Sequence, residues 1–219
     1  MTTTLIAGAN RGIGLELARQ LVTAGHRVHG TSRSDPGELA DLAHRVHPLD
    51  VTDAASIGAL AAELGDTRLD WLVVCAGVLL RTPLEDLDFE QVRLQFEVNA
   101  LGPLRVVAAL RHLLGPGSRV ALITSRMGSI GDNTSGGRYG YRMSKAALNM
   151  AGASLAHDLA PGGVHVALLH PGYVRTAMTG FSGLVDPPEA AAGLIARIEA
   201  LDAESSGSFW HANGERLPW

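Results

Sequence analysis

The sequence contains a single cysteine, Cys75. One cysteine cannot form an internal disulfide, and its scarcity fits a reducing compartment. No stretch approaches the ~20 apolar residues that a membrane span needs. The apolar run Leu5-Ile6-Ala7 is too short for a secretory signal and lacks its basic flank. These absences lead us to expect a cytoplasmic protein without a membrane partner. The net charge is -4, and no basic cluster occurs, so nothing points to nucleic acid. No G-x-S-x-G occurs, so a serine hydrolase would lack its nucleophile turn. His26-x-x-His29 and His44-x-x-His47 have metal-like spacing, but no cysteine or acid pattern completes four ligands. All four are read as surface or strand-end histidines, and no metal is expected. Lysine is as scarce as cysteine: Lys145 is the only one among 18 basic residues.

What remains is the composition of one globular domain over residues 1–219, with 46% apolar and 18% charged residues. The pattern alternates strand and helix. Thr2–Ala7, Arg27–Thr31, Arg45–Leu49, Asp70–Cys75, Arg119–Thr124, Val164–Leu169 and Gly207–His211 read as seven strands. Ile13, Leu17, Leu21 and Val22 recur at helical spacing, and Gly25 ends that helix. Pro36–Ala43 reads as a short helix. Thr52 reads as the N-cap of a helix through Leu64. Phe89–Leu114 is helical, with Gly102-Pro103 predicting a kink or two helices meeting. Tyr141–Leu159 and Pro188–Leu201 complete the set. Strands joined by helices imply a mostly parallel, doubly wound α/β sheet of the Rossmann kind, with helices on both faces. Gly128–Arg138 and Thr176–Pro187 are irregular and follow strand C-terminal ends, where such sheets bind ligands.

Gly8-Ala9-Asn10-Arg11-Gly12-Ile13-Gly14 lies between the first strand and first helix. Absent side chains let backbone approach a pyrophosphate, and a helix N-terminus offers free N–H groups there. The spacing, G-x-x-x-G-x-G, is not the literal G-x-G-x-x-G. Ser32-Arg33 follows the second strand. An acid at that place suits NAD(H), whereas an arginine suits the 2′-phosphate of NADP(H). NADP(H) is therefore favoured and NAD(H) remains open, because Asp35 lies only slightly late.

Tyr141 and Lys145 are four residues apart and share one helix face. Free tyrosine ionises near pH ~10, and a nearby ammonium is expected to stabilise its phenolate and lower that value. Tyr139 is a rival that has no lysine four residues on. An ordinary helix lysine is solvated, but a chain that otherwise uses arginine suggests a compact point charge is needed here.

These motifs together resemble the short-chain dehydrogenase/reductase family, in its C-factor-like, carbonyl-reductase-like branch. Ala7-Gly8-Ala9-Asn10-Arg11-Gly12-Ile13-Gly14 is similar to the family's T-G-x-x-x-G-I-G, with Ala7 in place of threonine. Asp50-Val51 resembles the pair the family sets against adenine. Cys75-Ala76-Gly77 stands for N-A-G. Asn99, Ser125, Tyr141-x-x-x-Lys145 and Pro171-Gly172-Tyr173-Val174-Arg175-Thr176 follow in order. The loop Gly128–Gly137 and the segment Gly214–Trp219 carry the likeness to the branch.

The resemblance implies an NADPH-dependent oxidoreductase that passes a hydride between a nicotinamide cofactor and a carbonyl or alcohol. It implies that Tyr141 acts as general acid or base, with Lys145 also on the nicotinamide ribose and Ser125 on the substrate oxygen. Asn99 would hold a helix kink and a water on a proton path to Lys145; by chemistry alone an N-cap is an equal reading. Thr176 and the Val174 backbone would orient the carboxamide. With Ala7 and Cys75 in place, the glycine turn is expected to be held more by packing. Residues 177–187 form a short substrate loop with Met178, Phe181 and Leu184, joined by Met127, as an apolar wall. Arg126 is either a carboxylate receptor or solvent-facing. Helices near 89–114 and 141–159 are expected to pair into a homodimer or homotetramer. The alternative is a cofactor-binding signalling or regulatory protein with little turnover.

Overall fold

The computed structural model describes residues 1–219. Seven strands form one sheet: β1 (Thr3–Ala7), β2 (Arg27–Ser32), β3 (Arg45–Pro48), β4 (Trp71–Val74), β5 (Arg119–Ile123), β6 (His165–His170) and β7 (Phe209–His211). Their order is β3-β2-β1-β4-β5-β6-β7, and every pair is parallel. Chain direction across the sheet reverses between β1 and β4, which opens a crevice at their C-terminal ends.

All of β4 is buried, as expected for a central strand covered on both faces. One face carries Leu5, Leu72, Val74, Val120, Leu122 and Val166. It packs against α3 (Ala54–Leu64), α5 (Gly102–Leu110) and α6 (Tyr139–Leu159). The other carries Ile6, Val73, Ala121, Ala167 and Leu169, packed against α1 (Gly12–Thr23) and α7 (Pro187–Glu199). A four-residue α2 (Leu39–Leu42) covers β2, where Gly30 leaves room for Leu39: a Cβ there would lie 2.8 Å from its methyls.

Two local expectations change, at the cap of α3 and at the histidines, while the interruption expected at Gly102-Pro103 is borne out. Asp53, not Thr52, caps α3, accepting from Ala55 N–H at 2.9 Å. Thr52 instead donates to Asp50 Oδ1 at 2.7 Å. The segment 89–114 is α4 (Phe89–Phe96), a π-helical turn (Glu97–Leu101), α5 and a 3₁₀ turn. The irregularity precedes Pro103, because the missing proline N–H and its ring disturb the turn before it. His29 and His47 are buried, not surface residues. Their rings stack at 5.3 Å and share a 3.0 Å hydrogen bond, while His47 also meets Glu63 at 2.9 Å. No helix is long and apolar enough to cross a membrane.

Candidate active site

The inward stripe of α6 is Tyr141, Ser144, Lys145, Leu148, Asn149, Gly152 and Ala156, the spacing of a helix packed on one face. Tyr141 is 8% exposed and Lys145 4%, which excludes the solvated-lysine alternative. Lys145 Nζ donates to Ile123 O, at the C-terminal end of β5, at 2.9 Å. It lies 5.9 Å from the Tyr141 ring centre. Tyr139, by contrast, is 37% exposed and faces outward.

Ser125, two residues past β5, accepts from Met127 N–H at 3.1 Å. Burial pushes the Tyr141 hydroxyl above its ordinary pKa, with the neighbouring Ser125 hydroxyl and the Arg138 charge opposing. The expected lowering does not occur, because desolvation governs. Burial pushes Lys145 itself down to about 8. At neutral pH the pair is thus a phenol beside a mostly protonated amine.

Asn99 lies in the π turn, fully buried, and is not an N-cap. Its Oδ1 accepts from Val78 N–H at 2.8 Å. Its Nδ2 donates to Val78 O at 2.9 Å and to Ser144 Oγ at 3.0 Å. Ser144 in turn donates to Tyr141 O at 2.8 Å. This network ties the loop after β4 to the first turns of α6. Ser144 carries no assigned role from sequence, although its position three residues after Tyr141 already puts it on the inward stripe.

The glycine turn is held by hydrogen bonds, a correction to the packing expected there. Gly8 N–H donates to Thr31 Oγ1 at 3.0 Å, and Cys75 and Ala76 N–H both donate to Ala7 O at 2.9 Å. Thr31, in the neighbouring strand, supplies the hydroxyl that Ala7 lacks. A Cβ on Gly8 (φ +85) would lie 2.8 Å from Ala76 N. Across the slot, a Cβ on Gly12 (φ +55) would come within 3.5 Å of the Thr176 methyl. One on Gly77 would lie 3.3 Å from Asn99 Oδ1 and 3.8 Å from Lys145 Nζ. The glycines thus let the turn after β1, the loop after β4 and the segment after β6 approach one another closely at the sheet's reversal point. Ile13 lies in the first turn of α1, and Asn10 donates to Asp35 O at 3.2 Å.

Other expected residues divide. Ser32 donates to Asp35 O at 3.0 Å. The Asp35 carboxylate accepts from Gly37 N–H at 3.0 Å, in its own turn. Arg11 and Arg33 are exposed. Asp50 is held below its usual pKa by the Thr52 hydroxyl and N–H, with Arg33 contributing. Val51 is buried against Gly102. Pro171 and Gly172 (φ +93) turn the chain after β6, and Val174 is buried. Cys75 lies just past β4, partly buried, its thiol pushed up to about 11 by desolvation. Arg126 is no free carboxylate receptor: Asp132 at 3.1 Å and Glu215 at 2.7 Å already hold it.

Residues 2–183 match the family model described as short chain dehydrogenase. The chain belongs to the short-chain dehydrogenase family. It is an oxidoreductase that uses a nicotinamide dinucleotide and acts on a small molecule. It is 45% identical over 226 residues, covering all of both chains, to 1-hydroxy-2-glutathionyl-2-methyl-3-butene dehydrogenase of Rhodococcus sp. (strain AD45). It is 44% identical over 164 residues to C-signal of Myxococcus xanthus, spanning 74% of this chain and 99% of that one. Its fold superposes on an NADPH-bound carbonyl reductase from chicken fatty liver with a TM-score of 0.93. That match has 28% identity and covers 100% of this chain and 99% of the other. In this short-chain dehydrogenase, Tyr141 and Lys145 share the buried stripe of α6, and Lys145 is bonded to the end of the strand that leads to Ser125.

Proposed function

We propose that the protein reduces carbonyl compounds, or oxidises the matching alcohols, with NADP(H) in preference to NAD(H). The observation that carries this reading is the burial of Tyr141 and Lys145 on α6 and of Ser125 just past β5, at the C-terminal side of the sheet's reversal point. A bound nicotinamide supplies or accepts the hydride. Gly8, Asn10, Arg11, Gly12, Ile13 and Gly14 would hold its pyrophosphate end, and Asp50-Val51 its adenine. Cys75-Ala76-Gly77, Pro171-Gly172, Val174 and Thr176 would line the remainder.

Tyr141 gives its hydroxyl proton to the carbonyl oxygen as negative charge gathers there. A phenol kept protonated by burial is the form this step needs. Ser125 donates to the same oxygen, a stabilisation of the oxyanion type. The Lys145 ammonium would bind the nicotinamide ribose and replenish the proton. Asn99 fixes the loop after β4, with Ser144 as its link to α6. Residues 177–187 cover the substrate. Arg175 holds that segment through Asp186 at 2.7 Å and Gly183 O at 2.7 Å. Leu94, Leu101, Leu104, Met143 and Met150 are exposed along α4 to α6, which supports pairing of these helices in a homodimer or homotetramer.

The NADP(H) preference rests on Arg33, exposed at the end of β2, and on an Asp35 carboxylate already engaged by Gly37. Arg33→Asp removes a charge-assisted phosphate contact and offers an acid to ribose hydroxyls instead. The expected result is a shift of about tenfold or more toward NADH in the ratio of kcat/KM values. An unchanged ratio would refute the phosphate contact.

A further inference from the structure

Arg126 and Arg175 follow β5 and β6, and Arg138 and Arg142 stand at the start of α6; three of these four are spoken for. Arg126 is paired with Asp132 and Glu215. Arg142 donates to Gly136 O and Gly137 O at 3.1 Å and to Ser135 Oγ at 2.8 Å. Arg175 is clamped by Asp186 and Gly183. Arg138 differs. It is exposed, and its side chain caps nothing and forms neither a hydrogen bond nor an ion pair.

Its backbone is also unusual. Arg138 has φ +49, left-handed, a region that a residue with a Cβ occupies reluctantly. The conformation is fixed from both sides. Behind it, Arg142 grips Gly136 and Gly137. Ahead of it, Gly140 N–H donates to Thr82 Oγ1 at 3.0 Å and Tyr139 N–H to Thr82 O at 3.4 Å. Such over-determined strain clusters at functional sites. Arg138 is three residues from Tyr141, and its charge is felt at that hydroxyl. Arg81, exposed beside Thr82, adds a second cation next to the same junction.

We infer that Arg138 is a specificity-determining residue that receives a carboxylate carried by the carbonyl substrate. This inference rests on the oxidoreductase reading above and narrows its substrate class. A guanidinium matches a carboxylate through two parallel N–H donors. The other non-glycine residue with positive φ is Phe181 (φ +58), in the segment proposed to cover the substrate. Phe181 is 72% exposed, with Leu184 and Met178 exposed nearby. The class that fits is a carbonyl compound with an apolar body and an anionic end.

The test compares para-carboxybenzaldehyde with its methyl ester as substrates, using NADPH and the full-length protein. The acid is expected to be favoured about tenfold or more in kcat/KM, with the preference weakening as salt is added. Arg138→Gln is expected to bring the ratio near one, and Arg138→Lys to restore part of it. Arg138→Gly suits the left-handed backbone, so it keeps or raises Tm while losing the preference; that separates recognition from a merely structural role. Benzoate binding by calorimetry gives a readout independent of turnover, with weaker binding expected in Arg138→Gln. A ratio near one in the wild type overturns the inference, as does a ratio or a benzoate affinity unaltered by Arg138→Gln. Failure to reduce either aldehyde, with Arg138-dependent benzoate binding retained, counts against the oxidoreductase reading instead.

Discussion

Tyr141→Phe will lower kcat about a thousandfold while leaving NADPH affinity nearly unchanged. The substitution removes one hydroxyl and keeps the ring. Tyr141 sits on the buried stripe of α6, and a phenylalanine of nearly the same volume preserves that packing. What is lost is the phenol hydroxyl proposed to give the proton. Positioned general acids contribute ~10²–10⁴ in rate, and no neighbouring group replaces it. Tyr139 is 37% exposed on another face. Lys145 is held by Ile123 O. The check is steady-state kcat with a carbonyl substrate together with NADPH titration by fluorescence. A variant keeping more than a tenth of wild-type kcat would argue strongly against the proton-donor role.

The second large effect is expected from a single methyl group. In Gly14→Ala the new Cβ would overlap the Gly8 carbonyl oxygen and come within 3.0 Å of its carbon. Both are backbone atoms, so no side chain can swing aside. The turn must open at Gly8, whose N–H is bonded to Thr31 Oγ1 and whose neighbour Ala7 O takes two N–H groups from the loop after β4. Overpacking of this kind costs about 3 kcal/mol or more where backbone must move. The expected result is a lowered Tm and a loss of NADPH binding, the latter at least about a hundredfold. Gly58→Ala, in α3 with open space around it, is the matched control and should be neutral or stabilising. Equal behaviour of the two variants would contradict the close approach on which the crevice depends.

Much of this was legible in the sequence because periodicity and punctuation act locally. Alternation of apolar strands and helices with Gly at their joins was enough for the parallel, doubly wound sheet. The four-residue spacing placed Tyr141 and Lys145 on one face, and they share the inward stripe of α6. Spacing says nothing of depth, however. The expected fall in the Tyr141 pKa gave way to a rise, because burial of the hydroxyl outweighs the contacts that favour its charged form. Long-range partners were equally hidden. Thr31 supplies a hydroxyl to Gly8 from 23 residues away, and Arg126 meets Glu215 across 89. His29 and His47 read as surface or strand-end residues because no further ligand pattern accompanies them, yet parallel pairing of β2 and β3 buries both. The left-handed backbone at Arg138 has no signature in residue type, since glycines precede it and carry the turn signal.

The most direct measurement is NADPH consumption by the wild-type protein against a panel of aldehydes, ketones and quinones, with the alcohol product quantified in parallel. The account predicts that at least one carbonyl is reduced with one NADPH oxidised per alcohol formed, and that Tyr141→Phe stops it. Tight NADPH binding with no turnover across the panel, or turnover that survives loss of the Tyr141 hydroxyl, would contradict it.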